Sequence, residues 1–238
     1  MATVTELKRR LIEGAIVCEM EGLYEAFGHI SVRIPGTDQI LVTPATPPGN
    51  TKLSEINTLN LDGKKIRGRG VTVGELPIHT SIYRVRNDVQ SIIHVHAPLL
   101  IAFSIAGKEI FPMRFHDRKF SPSVPIFGDP GARVYIDSDE LGEEMARALG
   151  QDVALIIRGH GAVIVGESIE AACLNAIALK NTAEIHFMAS VLLLSKSKKK
   201  DFQIPLLHQR DRKEDIKAFI HKRSWDFYRA KLKRYLRK

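Results

Sequence analysis

Two runs of apolar, β-favouring residues, "VALIIR" (153–158) and "AVIVG" (162–166), flank a Gly-His-Gly triplet, and no feature of the chain restricts its fold more. Neither run alternates with polar residues, so both read as central strands of a sheet. Helical patterns are present to cover them. "TELKRRLIEGAIVCEMEGLYEAFG" places Leu7, Leu11, Ala15, Cys18 and Gly22 near one face, with Ile12, Ile16 and Met20 widening it, and a long helical pattern runs from Ser168 to Leu194. "DSDELGEEMARALG" reads as a helix, with Asp137 three residues before Glu140 as a capping box and Gly150 as its end. "GELPIHTSIYRVR" is a further helix, "SIIHVH" a strand, and "APLLIAFSIAG" a helix closed by Gly107. Short strand-like runs "HISVRI", "QILVTPA" and "TLNL" lie between, the last turning at Asp62-Gly63 as a hairpin. This order predicts an α/β fold, a mixed sheet with helices on both faces. Residues 108–133, rich in Pro, Gly and charge, read as a functional loop.

Charge divides the chain into two parts. The whole carries +8, yet residues 196–238 hold 16 Lys and Arg against 5 Asp and Glu, a net +11, which leaves −3 on residues 1–195. The predicted organisation is therefore a slightly acidic main domain over 1–195 and a basic amphipathic tail over 196–238. In the tail, "DRKEDIKAFIHKR" and "SWDFYRAKLKRYLRK" read as two short helices with Phe219, Trp225, Tyr228 and Leu232 among the charges. Packing on the body or on a neighbouring subunit explains that pattern better than nucleic-acid binding, for which no motif is present. No run approaches the 18 or more consecutive apolar residues of a membrane span, and the first residues are too charged for a signal peptide. The expectation is a cytoplasmic protein without nucleic-acid or membrane partners. Cys18 and Cys173 both fall in helical patterns, which argues against a disulfide framework or a cysteine-rich zinc site.

His94 and His96 stand two apart on a strand, so their side chains share a face. The pair fits either one shared ion, with a third ligand from elsewhere, or two polar residues on a wet face. His160, framed by Gly159 and Gly161 between the apolar runs, is a functional candidate because Asn-Gly or Asp-Gly would turn the chain equally well. Glu75 opens a predicted helix with Thr72 three residues earlier, a capping box. Its carboxylate could also serve as a fourth ligand or a proton shuttle.

"GELPIHTSIYRVRNDVQSIIHVHAP" and "RGHGAVIVGESIEAA" resemble the acidic residue, helix, His-x-His strand and third-histidine hairpin of the class II aldolase/adducin family, over roughly Leu7 to Leu194. The resemblance implies a largely antiparallel central sheet in an α/β/α arrangement. It implies one divalent ion per subunit (Zn, Mn or Fe) on His94, His96 and His160, and Glu75 as acid/base and in some members a ligand. It further implies a homotetramer with sites at subunit interfaces, where the tail would close the pocket. His79 matches no ligand and reads as structural or solvated.

The family's phosphosugar aldolases hold phosphate with an Asn and a pair of hydroxyl residues. Here His29 follows Gly28 in "GHISVR", and Val73 and Gly74 precede the acid in "TVGE"; "LVTPAT" keeps Thr43 and Thr46. The aldolases' proton-donor tyrosine falls on Phe115, beside His116. "GHISVR" together with "ELPIHTSIYR" is more similar to a branch that decarboxylates aromatic or pyridine carboxylic acids bearing an adjacent hydroxyl. The resulting expectation is a metal-dependent carbon–carbon lyase acting on a small carboxylic acid, with Glu75 or His116 returning the proton and Gly28, His29, Thr46 and Gly74 contacting substrate. Three alternatives differ in class: a fuculose-phosphate-like aldolase or epimerase, a non-haem iron oxygenase on the same scaffold, and a non-enzymatic interaction protein like the adducin heads, which lack the full ligand set.

Overall fold

The apolar pair around Gly-His-Gly forms a hairpin inside an eight-stranded sheet. The computed structural model describes residues 2–131, 134–194 and 214–237, without the side chains of 115, 116 and 214–216. The strands are β1 (His29–Arg33), β2 (Gln39–Val42), β3 (Asn57–Asn60), β4 (Lys65–Arg67), β5 (Ser91–Val95), β6 (Ile126–Phe127), β7 (Ala154–Ile157) and β8 (Gly161–Gly166). Their order is β4-β3-β2-β1-β5-β8-β7-β6, antiparallel throughout except for the parallel β6–β7 pair. The helices are α1 (Val4–Met20), α2 (Leu76–Val85), α3 (Pro98–Ile105), α4 (Asp139–Leu149), α5 (Ile169–Leu194) and α6 (Glu214–Tyr235).

Two apolar clusters explain why β7 and β8 show no polar alternation. Ala154, Ile156, Ala162 and Ile164 pack with α1, α3 and α5, whereas Leu155, Ile157, Val163 and Val165 pack with α2 and α4. With both faces covered, every position of these strands must be apolar or small. The predicted mixed, largely antiparallel sheet with helices on both faces is the one observed. Cys18 and Cys173 are buried free thiols with sulfurs 3.9 Å apart.

Local details of α1, α4 and α6 differ from the sequence reading. Gly22, expected on the face of α1, lies beyond the helix end with φ 69°, while the start of α1 is closed by a Thr3–Glu6 capping box. The cap of α4 is Ser138, whose hydroxyl accepts from the Leu141 amide at 3.3 Å; Asp137 sits one residue too early to reach that position. The two short tail helices are one 22-residue helix, α6, because nothing between Arg223 and Ser224 breaks the backbone pattern. The boundary expected near residue 196 lies outside the described residues.

By length and composition α5 is apolar enough to cross a membrane, with 26 residues and a window of mean hydropathy 1.3. Its first half contributes one buried face to the core, from Ile169 to Ala183, while Phe187, Met188 and Val191 near its end are exposed.

The helix α6 lies across α1 and α5. Trp225 and Leu232 join the buried cluster, and ion pairs Arg229–Glu13 at 2.7 Å and Lys231–Glu21 at 2.6 Å flank them. Burial outweighs charge here: an exposed pair contributes about 0–1 kcal/mol, whereas truncating a buried Trp costs about 3–5 kcal/mol. Trp225→Ala is therefore expected to lower unfolding free energy by about 3 kcal/mol in urea titration, and Arg229→Ala by less than about 1 kcal/mol. Equal effects would show that charge, not the aromatic anchor, seats the helix.

Candidate metal centre and its cavity

The period of two on β1 and β5 turns one set of polar residues toward α2. His29 and His94 are register partners on adjacent strands, and Ser31 lies two residues along from His29. His96 follows the end of β5, and the turn at Gly159, with φ 66°, returns His160 to the same end of the sheet. Gly161 makes this approach possible: a Cβ there would stand 2.3 Å from the Val95 carbonyl oxygen. Glu75 is the N-cap residue of α2, with Pro77 inside the first turn. Its side chain makes no capping bond, so the box expected with Thr72 does not form. The carboxylate turns instead toward the histidines.

Donor atoms of Glu75, His94, His96 and His160 lie within 4.8 Å of one another. The Nε2 of His96 is 3.0 Å from that of His94 and 3.1 Å from that of His160. Glu75 oxygens lie 3.4 Å from His94 Nε2 and 3.4 Å from His160 Nε2. Backbone carbonyls settle two of the tautomers. The Nδ1 of His94 faces the Ala162 oxygen at 3.1 Å and that of His160 the Val134 oxygen at 2.7 Å. A carbonyl only accepts, so each Nδ1 carries the proton and each Nε2 presents a lone pair to the centre. Lone pairs facing a carboxylate repel unless a cation lies among them, and Glu75 Oε1 is buried without a hydrogen-bond partner among the described residues. The donor set therefore fits a divalent ion: three imidazole nitrogens and a carboxylate suit zinc or another first-row metal.

Electrostatics agrees. Burial, then the neighbouring imidazoles, pushes His94 and His96 down to about 4, so both imidazoles are neutral at ordinary pH. Burial acts to raise Glu75, but the neighbouring His160, His29 and His94 imidazoles outweigh it and lower the group, which stands as a carboxylate. For His160, burial is likewise outweighed, and the Glu75 carboxylate raises it. Burial lowers His29 and His79.

Beside the four donors opens a cavity of about 530 Å³, within the range of small-molecule sites. Gly28, His29, Thr46 and Gly74 all line it, as do Glu75, His96 and His160. Thr43 does not; its hydroxyl accepts from the Ile30 amide at 3.0 Å and is spent on the β1–β2 connection. The side chains of Phe115 and His116 lie outside the described residues. None of the described residues of the tail reaches the cavity.

Sequence reasoning missed two participants. Tyr135 lines the mouth and stacks over His160, with centroids 5.9 Å apart and planes at 15°. Its place depends on Gly74, where a Cβ would come within 2.6 Å of the Tyr135 hydroxyl. Only that steric link ties the two, and they are distant in sequence. His79, read as structural or solvated, is fully buried and hydrogen-bonded to His29, so it is not solvated.

The model of the class II aldolase and adducin N-terminal domain matches residues 10–187. The chain belongs to the class II aldolase and adducin family. Among its relatives, a 3,4-dihydroxyphthalate decarboxylase of Arthrobacter keyseri is 31% identical over 177 residues, 66% of this chain and 67% of that one. An L-fuculose phosphate aldolase of Methanocaldococcus jannaschii is 30% identical over 164 residues, covering 66% of this chain and 82% of that one. In fold, an aldolase II superfamily protein from Pseudomonas syringae superposes with a TM-score of 0.78 at 22% identity, over 97% of this chain and 93% of that one. Class II aldolases are metal-dependent, and this member carries a complete four-residue donor set.

Proposed function

We propose that the protein is a metal-dependent carbon–carbon lyase that releases CO₂ from a non-phosphorylated, hydroxylated aromatic or heteroaromatic carboxylic acid. The observation that carries this reading is the cavity wall. Phe27, Pro47, Val73 and Tyr135 offer apolar surface to a flat ring beside the donors, and no Lys or Arg among the described residues lines it. A phosphate dianion needs several oriented donors. Position 74 is glycine, so it offers no hydroxyl group. Three 3,4-dihydroxyphthalate decarboxylases stand among the relatives at 27–31% identity, and with them the relatives favour this reading over the aldolase.

Glu75, held as a carboxylate, begins as a proton acceptor. It takes the proton of the hydroxyl adjacent to the substrate carboxylate and delivers it to the ring carbon that bears that carboxylate. The bond to the carboxyl carbon then breaks, CO₂ leaves, and its electron pair restores the aromatic ring with the charge on the ring oxygen. No co-reactant is consumed. His29 meets an anionic oxygen of the substrate on the cavity floor. Burial and the charge of Glu75 raise the Tyr135 phenol, which stays protonated as a donor at the mouth. A bound divalent ion supplies Lewis-acid stabilisation of negative charge on the substrate oxygens.

Assaying the metal-loaded protein side by side on ortho-hydroxy aromatic acids and on ketose 1-phosphates tests the reading. CO₂ release from the former is expected, with no cleavage of the latter. Efficient retro-aldol turnover without decarboxylation would replace this function with the aldolase.

A further inference from the structure

Behind His29, away from the cavity, a line of buried polar groups runs between β1 and α2. Glu75, His79 and Tyr83 recur every four residues and so share the face of α2 that lies on the sheet. Beneath them are His29 and Ser31. The Nδ1 of His29 is 2.7 Å from Nε2 of His79, and Nδ1 of His79 is 2.7 Å from the Ser31 hydroxyl. That hydroxyl is 2.9 Å from the Tyr83 hydroxyl, which lies 3.4 Å from the Gln90 carbonyl oxygen. Ser31 and His79 are 0% exposed and Tyr83 is 1% exposed, so these contacts, not bulk water, decide where the protons sit.

Each neutral member of the line brings one proton, so the three short contacts are all filled only when their bonds point the same way. In one direction Tyr83 donates to Ser31, Ser31 to His79 Nδ1, and His79 Nε2–H to His29 Nδ1. That leaves N–H on His29 Nε2, 3.9 Å from Glu75 Oε2. In the reverse direction the last proton goes to Gln90 across the longest contact, and His29 Nε2 turns a lone pair on the Glu75 carboxylate. Both directions fill the three short contacts; the reverse adds only the 3.4 Å contact to Gln90, whereas the first places a donor, not a lone pair, beside the Glu75 charge.

We infer that His79, oriented by Ser31 and Tyr83, is a positioning residue that locks His29 in the tautomer protonated on Nε2, so that the cavity presents a fixed donor to an anionic substrate oxygen. The substrate part of this inference rests on the decarboxylase reading; the proton order does not. Histidine suits position 79 because a single ring has a donor and an acceptor on opposite sides, bridging a hydroxyl to a second imidazole.

The test uses the full-length, zinc-loaded protein labelled with ¹⁵N-histidine, in which long-range ¹H–¹⁵N correlation shows the protonated nitrogen of each ring. His29 signals are assigned by their loss in His29→Gln. The expected result is His29 protonated on Nε2 and His79 protonated on Nε2. In Ser31→Ala, His79 is free to take the other tautomer, and His29 is expected to lose its single pattern, while Ser31→Thr keeps it. Salicylate serves as the ligand probe in calorimetry. Loss of one hydrogen bond to a charged oxygen weakens binding by about tenfold or more, so Ser31→Ala should raise the salicylate Kd by about that factor and Ser31→Thr by less than about threefold. His29 protonated on Nδ1 in the unmodified protein overturns the inference without any variant. So does a Ser31→Ala protein in which both the ¹⁵N pattern and the salicylate affinity are unchanged. The expected tautomers without salicylate binding support the positioning role and count against the aromatic-acid substrate alone.

Discussion

Replacing His96 with alanine is expected to remove most of the bound metal and to reduce decarboxylation by about a thousandfold or more, since a Lewis acid contributes several kcal/mol of charge stabilisation. His96 is the middle of the donor set, its Nε2 lying within 3.1 Å of both other imidazole nitrogens. Without it two imidazoles remain with Glu75, and the nitrogen that lies close to both of the others is lost. The fold should survive, because His96 lies past the end of β5 and is only half-buried. Elemental analysis of the variant gives the decisive number, with circular dichroism as the control for folding. Stoichiometric metal in a folded His96→Ala protein would sink the assignment of the centre.

Glu75→Gln should separate proton transfer from metal binding. The amide nearly matches the carboxylate in size, which matters at a residue only 5% exposed. It keeps the packing of the α2 start and removes both the charge and the ability to carry a proton. Turnover is expected to fall by about 10²–10⁴-fold, the usual loss for a positioned acid/base group. Three imidazoles remain, so the metal is expected to stay bound. Activity within about tenfold of the unmodified protein would dismiss Glu75 as the proton carrier. Loss of metal along with activity would instead make it a ligand.

The two variants address groups whose readability in the sequence was unequal. His94 and His96 were legible because a strand has a period of two, and the observed side chains do meet on one face. The turn at His160 was legible because its flanking glycines stand between two runs that could only be buried strands. Glu75 was legible as a helix start, but its local partner was misjudged. A capping box is a choice made within one turn of chain, whereas this carboxylate is drawn to imidazoles 19, 21 and 85 residues away. Burial among those donors outweighs a cap that water can replace.

What the sequence determined by itself, then, was periodicity: which residues share a face of β5, β7, β8, α1 and α5, and where glycine lets the chain turn. These are properties of a few consecutive residues, set by backbone geometry and the need to bury apolar surface. Which face meets which was decided only in the tertiary structure. His79 became the partner of His29 because α2 packs across β1, Tyr135 entered the cavity because Gly74 leaves it room, and α6 runs unbroken over α1 and α5. Each is a contact between segments far apart in the chain, and steric fit and hydrogen-bond satisfaction at such contacts exist only once the sheet and its covering helices have assembled.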